Sequence, residues 1–383
     1  MRMHVDRRQE RVVALVRERG SLRVADLAEE LGVSVVTVRR DVEALAERGV
    51  LVRRHGAVLW PGGVSAPDRA GAAPGAAAPV VGMVVPTVDR FFGDIVRGAR
   101  ETVEERGGRL LLGLTGYRPA EDAAQIERLL GAGAEGLLLA PSWQDGLPSA
   151  AEQERLLSGT APIVLVERWA PPGSPAAELD RVGTDRAHGA ATAVRHLTGL
   201  GHRRIALMVQ ESVHASRIRD GFREAVRSLG RAVEPVPERM PPPSANGAER
   251  LERTLEQLVR AIAEDGVTAA LVHSDADAIA LVARLRERGV RVPEDLAVVA
   301  YDDEVASLAE VPLTAVAPPK GAVGTTAARL LLSRIAAASH GRDMTPRQHL
   351  GLLPELRIRA SCGAGTAAEP ATEAGPAVPS PSD

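Results

Sequence analysis

Two sets of residues stand out for what they could bind. The first is basic: Arg39-Arg40, on a short predicted helix opened by Ser34-Val35-Val36-Thr37, and Arg53-Arg54-His55 just beyond it. Arginine pairs bidentately with guanine, and the methyl groups of Val36 and Thr37 can touch thymine. The second set is aromatic and charged: Phe91-Phe92, Ser142-Trp143, Glu167-Arg168-Trp169 and Tyr301-Asp302-Asp303. Aromatic residues are only 2% of the chain, yet most fall just after a predicted strand or at a helix start. Polyol recognition sets carboxylates and guanidinium groups against hydroxyls, and flat rings against C–H faces. Phe91, Trp143 and Trp169 are therefore expected to line a cleft. Phe222, inside a predicted helix, is expected in the core.

The elements that must position these residues follow from periodicity. In the first 60 residues, a helix over 6–19 stops at Gly20 and a second over 24–31 stops at Gly32. Ser34 caps a third helix running to Arg48. The turn Gly32-Val33-Ser34 is the short glycine-containing turn of a helix-turn-helix. Val38, Val42 and Leu45 share one face of the third helix and should point inward, with Arg40 and Val36 opposite and Thr37 and Arg39 flanking. Asp41 faces the other helices and reads as structural. Residues 50–52 and 57–60 are expected to pair as a hairpin, with Arg53, Arg54 and His55 at its tip beside phosphates.

Further on, strands are predicted at 80–85, 109–113, 136–139, 163–166, 205–209, 269–272 and 296–300. Helices are predicted at 93–106, 121–132, 186–200, 216–229, 246–265 and 276–288. The strands are continuous apolar runs, which suits a parallel sheet covered on both faces. The alternation implies a doubly wound α/β architecture, and its length implies two lobes. Ligands in such sheets bind outside the carboxyl ends of the strands.

Composition sets the boundaries. Residues 1–60 hold twelve arginines against nine acids, although the whole chain has a formal net charge of −3. Residues 61–79 are rich in Pro, Gly and Ala and read as a linker. Residues 80–360 form the α/β segment, with the chain expected to cross between lobes near 182 and 315. Residues 361–383 return to Ala, Gly, Pro and Ser and read as a disordered tail. Met1–Arg8 is followed by no apolar core, so a secretory signal is not expected and a cytoplasmic location is. No apolar run is long enough to span a bilayer. The single cysteine, Cys362, excludes an internal disulfide and a cysteine metal cluster.

The run from Leu27 to Ser34, Thr37-Val38-Arg39-Arg40-Asp41 and Gly49 to Ala57 together resemble the winged DNA-binding module of the DeoR family. From Val80 on, the chain resembles the sensor of the LacI/GalR family, which shares its fold with periplasmic sugar-binding proteins. Carrying that resemblance are Val81 to Pro86, Gly136 to Ser142, Pro162 to Arg168, Val182-Gly183-Thr184-Asp185, Leu200 to Ala206, His273-Ser274-Asp275, Arg291 to Leu296 and Ala300 to Asp303. The resemblance implies hydroxyl contacts at Glu167, beside Arg168, and at Asp302, with Ser274-Asp275 where the family has Asn-Asp. An arginine that reaches the ligand matches Arg217 or Arg219. The spacing to Gly221 differs by one and does not choose between them. Asp89-Arg90 stands where Asn-Pro is usual, and a glutamine common near Pro318 is absent.

Together these imply a transcription regulator: a homodimer on a palindromic duplex, answering to a small sugar or polyol. An enzyme on this scaffold would be expected to show a G-x-G-x-x-G, a phosphate loop, a G-x-S-x-G or an H-E-x-x-H. The one G-x-G-x-x-G, Gly131 to Gly136, leads from a predicted helix into a strand and not from a strand into a helix, the other three are not present, and no cofactor, metal or catalytic residue is predicted. A solute-binding protein would leave the first 60 residues without a role.

Overall fold

A computed structural model describes residues 8–9, 11–13, 15–16, 21–47, 52–54, 57–59, 78–143, 149–234, 236, 247–339 and 346–364. The chain divides into two compact units, Met1–Ala76 and Ala77–Asp383.

In the first unit, helices Val24–Leu31 and Val35–Glu47 are joined by a turn in which Gly32 takes φ +62°, a conformation open to glycine. Ser34 Oγ accepts the Thr37 N–H at 3.2 Å and caps the second helix. Val38, Val42 and Leu45 pack against Val12, Leu15, Leu27 and Val58. Asp41 is buried and accepts from the Arg8 guanidinium, which ties the helix to the start of the chain.

Three strands complete this unit: β1 (Ser21–Arg23), β2 (Val52–Arg54) and β3 (Ala57–Leu59), in the order β1-β3-β2. Arg53 pairs with Val58 and Arg54 with Ala57, so both arginine backbones lie inside β2 and not at the hairpin tip. The pairing thus reaches two residues beyond the predicted strand end at 52. His55 and the predicted strand residues 50, 51 and 60 lie outside the described residues. β1 was not predicted, because three residues show no period and are held only by pairing with the distant β3.

The second unit has two sheets. The first contains β4 (Val80–Val85), β5 (Arg109–Leu114), β6 (Gly136–Leu139), β7 (Ile163–Val166), β8 (Asp180–Thr184) and, later in the chain, a strand over His349–Leu352. The second contains β9 (Ile205–Val209), β10 (Ala269–His273), β11 (Ala297–Tyr301), β12 (Thr314–Ala317) and a strand over Glu355–Arg357. Numbering the late strands β13 and β14, the orders are β13-β8-β7-β6-β4-β5 and β14-β12-β11-β10-β9. Every pairing is parallel except β12 with β14. Runs such as Ile163–Val166 and Ala297–Tyr301 are buried throughout because helices cover both faces.

The chain passes between the sheets three times: after Thr184, after Ala317 and between Leu352 and Glu355. The sequence reading places only the first two. The third was missed because β13 and β14 are short and half-exposed. The fold also runs past the predicted boundary at 360. Ser361 Oγ donates to Val298 O at 2.6 Å and accepts Thr314 N–H at 2.8 Å, and Cys362 is buried in the second lobe. A Gly/Ala-rich composition concealed these two anchoring residues.

Helix Lys320–Ser339 returns to the first lobe and lies close along helix Arg90–Glu105. A Cβ at Gly324 would collide with Ile95 O, so only glycine permits this approach. Arg334 of the returning helix grips the buried Asp180 of β8 through two 2.8 Å hydrogen bonds.

Candidate functional site

Helix Val35–Glu47 buries one stripe and presents Arg39 and Arg40 to solvent, with Thr37 half-buried beside them. Val36 lies in its first turn. Ser34 is exposed but occupied in the cap and also contacts Thr37 Oγ1 at 2.8 Å. The helix therefore has an apolar side fixed by its own core and a basic side left free, as insertion into a groove requires.

In the second unit, the carboxyl ends of the strands converge. Glu167 follows β7 in the first lobe, and Asp302 follows β11 in the second. Between them stands Arg186, the first residue of helix Arg186–Gly199 after the first crossing. Its guanidinium donates to Asp302 Oδ1 at 2.6 Å and to Glu167 Oε2 at 3.4 Å. Thr184 holds the other Glu167 oxygen through N–H at 2.8 Å and Oγ1 at 2.6 Å. His273 Nε2 lies 3.3 Å from Asp302 Oδ2, and Lys320 Nζ donates to Asp302 O at 2.6 Å. All these side chains are nearly or wholly buried.

Burial alone would raise the Asp302 pKa. Arg186 and His273 outweigh it and hold the carboxyl well below the usual range. Burial likewise opposes the charge on Arg186, and Asp302 and Glu167 keep it firmly protonated. Tyr301 is pushed up by burial and donates its hydroxyl to Arg186 O at 3.0 Å.

Arg168 lines the first-lobe side. It donates to Pro141 O at 2.6 Å and Glu167 O at 2.9 Å, and burial pulls its pKa down to about 10. Phe91 and Phe92 meet edge to face at 5.3 Å. Arg186 and Lys320 lie over the Phe91 ring at 5.1 and 5.4 Å, and Arg168 over Phe92 at 5.8 Å. Ser142 Oγ contacts Thr115 Oγ1 at 3.0 Å, and its N–H donates to Asp122 Oδ2 at 2.7 Å.

Backbone strain marks the same place. Among the described residues, the non-glycine positions with positive φ are Tyr117, Glu167, Asp302 and Asp303, each beyond a strand end. Such conformations are retained where surrounding contacts enforce them, and they cluster at functional sites.

The structure thus brings together Phe91, Glu167, Arg168 and Asp302, with Ser142 to one side. Other predicted residues do not join them in the expected way. Trp143 is buried among Leu139, Leu165 and Ala170, so it is a core residue and not a wall of the cleft. Phe92 also enters the core, with Ile95 and Val166. Asp275 spends Oδ2 on three backbone N–H groups, of Glu304, Val305 and Ala306, and so shapes the loop after Asp302. Ser274 caps the helix Asp275–Glu287. Trp169 is half-buried, with Arg181 and the exposed Arg217 each 5.8 Å from its ring. Arg219 turns to Glu211 at 2.7 Å.

Sequence reasoning missed Arg186, Lys320, Asp122, His214 and Tyr117. Arg186 and Lys320 follow β8 and β12, strands that were not predicted. With those strands in hand, both would have stood at strand ends beside the residues that were found.

The family model of the DeoR-like helix-turn-helix domain matches residues 8–61, and that of the periplasmic binding protein-like domain matches residues 194–362. The chain is 26% identical over 344 residues to the HTH-type transcriptional regulator DegA of Bacillus subtilis, covering 88% of this chain and 97% of DegA. It is 31% identical over 291 residues to the HTH-type transcriptional repressor PurR of Haemophilus influenzae, covering 73% and 80%. The chain belongs to the LacI family of transcriptional regulators. It is a DNA-binding, ligand-responsive regulator. The LacI-family architecture is also that of the transcriptional regulator CelR–cellobiose complex, with a TM-score of 0.58, 26% identity, and coverage of 86% of this chain and 91% of that one. In this LacI-family chain no helix among the described residues is long and apolar enough to cross a membrane.

Proposed function

We propose that this protein is a cytoplasmic repressor that binds a palindromic operator as a homodimer and releases or tightens its grip when a small sugar or polyol enters the cleft. Residues 1–60 are the reader, 61–79 a linker, and the segment from 80 to Cys362 the sensor. The observation that carries the reading is the Glu167–Arg186–Asp302 constellation, built from both lobes at the strand ends. A ligand that touches both lobes binds the closed arrangement better and shifts the population toward it. Glu167, Arg168 and Asp302 supply the polar contacts and Phe91 the flat face. Trp169 and Arg217 edge the same cleft, and no turnover takes place. CelR was solved with cellobiose, which supports a carbohydrate effector. Two-fold symmetry in the protein suits a palindrome in the DNA.

In the reader, Ser34, Thr37, Arg39 and Arg40 face the groove and Arg53, Arg54 and His55 the backbone, with Val36 against a thymine methyl. The test is binding to a randomised duplex pool at several salt concentrations. Arg40→Ala is expected to cost about 1–3 kcal/mol at one base position, and Arg53→Ala to weaken all duplexes alike and lower the salt slope by about one. Full operator preference in Arg40→Ala would reject the placement of the reading helix.

A further inference from the structure

Buried cations in the second unit are treated in two ways. Arg334, away from the cleft, is neutralised by a bidentate carboxylate. In the cleft, Arg168 is 3% exposed and Lys320 9% exposed, and neither has a carboxylate within ion-pair distance among the described residues. Among the described residues, Arg168 donates to two backbone carbonyls and lies over the Phe92 face, and Lys320 donates to the Asp302 carbonyl and lies over the Phe91 face. Two further nitrogens beside them, Arg186 Nε and His214 Nδ1, are buried with no hydrogen-bond partner.

The carboxylates nearby are already committed. Both oxygens of Glu167 serve Thr184 and Arg186, and both of Asp302 serve Arg186 and His273. Asp275 is held by backbone N–H groups. Glu304, facing Lys320 and Asp302, is pushed up to about 7 by burial, so it is a weak counterion at neutral pH. Asp122 keeps a buried oxygen, Oδ1, without a hydrogen-bond partner among the described residues, and it too is raised by burial, to about 6. A buried charge without a partner is costly, and proteins keep one where a ligand supplies the counter-charge.

We propose that the effector is a hydroxylated small molecule carrying an oxyanion, a carboxylate or a phosphate, seated against Arg168 with Lys320 and the free Arg186 Nε completing the positive lining. Asp122 Oδ1 then accepts one of its hydroxyls. This rests on the cleft being the effector site, as proposed above, and narrows the class from neutral sugars to sugar acids and sugar phosphates.

The test is thermal shift on the full chain at constant ionic strength, with skeleton-matched probes: D-glucose, D-glucuronate, D-gluconate and D-glucose 6-phosphate; D-ribose and D-ribose 5-phosphate; and inorganic phosphate alone. At least one oxyanion is expected to raise Tm where its neutral partner does not. Glucuronate or gluconate alone would assign a carboxylate, and a sugar phosphate alone a phosphate. Arg168→Gln is expected to weaken that ligand about tenfold or more, in line with loss of a charge-assisted hydrogen bond, while Arg168→Lys recovers part of it. Operator binding by Arg168→Gln verifies that it folds. A neutral sugar as effective as its acid, no response to any oxyanion, or a full response in Arg168→Gln overturns the proposal. If the oxyanion stabilises the chain but no duplex is preferred, the regulator reading fails and this one stands.

Discussion

Arg334 and Arg186 are both buried and both face carboxylates, yet they complete their contacts differently. Arg334 meets Asp180 with two 2.8 Å bonds, donates also to Pro346 O at 2.6 Å, and leaves Asp180 free to accept Gln348 N–H at 2.7 Å. Asp180 and Pro346 belong to the same lobe as the helix that carries Arg334, so these contacts do not change if the lobes move. Arg186 divides itself between lobes, with a 2.6 Å bond to Asp302, a longer 3.4 Å contact to Glu167 and an idle Nε. The first arrangement is finished within the fold. The second is finished only at the boundary between two bodies, and there a competing ligand can alter it at modest cost.

The sharpest way to break this comparison is Asp180→Ala. It leaves Arg334 buried without its counter-charge and is expected to cost about 3–5 kcal/mol in urea unfolding, with little effect on the cleft. Replacing the pair together, with Asp180→Leu and Arg334→Met, should recover part of that loss, because an apolar pair removes the unpaired charge. If Asp180→Ala were neutral, the pair would not be the anchor it resembles.

Arg186→Met takes the counter-charge from two buried carboxylates and is expected to cost about 3–5 kcal/mol as well, although Glu167 keeps its two Thr184 bonds and Asp302 keeps His273. Its larger consequence should be in shape. Without the bridge, small-angle scattering is expected to show a more open sensor, and effector should then restore the compact form. An unchanged scattering profile together with unchanged effector affinity would show that Arg186 is packing and not a bridge.

The same contrast explains what could be read in advance. The strands β4, β6, β7 and β9 were legible to the residue because they are continuous apolar runs buried on both faces. Glu167 and Arg168, whose roles the family resemblance implied, stand directly after β7. β8 was not legible, because it opens with the charged Asp180 and Arg181, and the groups that compensate the burial of Asp180, namely Arg334, Arg347 and the Gln348 N–H, lie far off in the chain. Losing β8 hid Arg186. β12 was missed as a strand and hid Lys320 in the same way. Trp143 failed for the opposite reason. It follows a strand as a site residue should, but Leu165 and Ala170 enclose it, and no local pattern announces a neighbour from another strand. In the reader, the third helix was clear from its apolar stripe and the β2–β3 hairpin was expected, whereas β1 needed its pairing with the distant β3.

The finest test concerns Asp122, an acid that resembles neither Asp180 nor Asp302. Arg334 and the Gln348 amide overcome the cost of burying Asp180 and keep its pKa low. Asp122 has the Ser142 amide on one oxygen and nothing on the other, and burial raises its pKa to about 6. Folded protein therefore holds a proton at Asp122 that the unfolded chain has already released. Stability falls as pH rises from near 4 through about 6, and is flat with respect to this group above that. Asp122→Asn keeps an acceptor for Ser142 and removes the titration. Unfolding curves for the two proteins should agree most closely near pH 4 and separate up to pH 6, with the wild type losing ground. The sign is opposite for Asp180, whose contribution disappears as pH falls. A wild type that gained on Asp122→Asn over the same range would mean that Asp122 is paired in solution, most simply with Arg168, and the cleft would then have no uncompensated guanidinium to offer an effector.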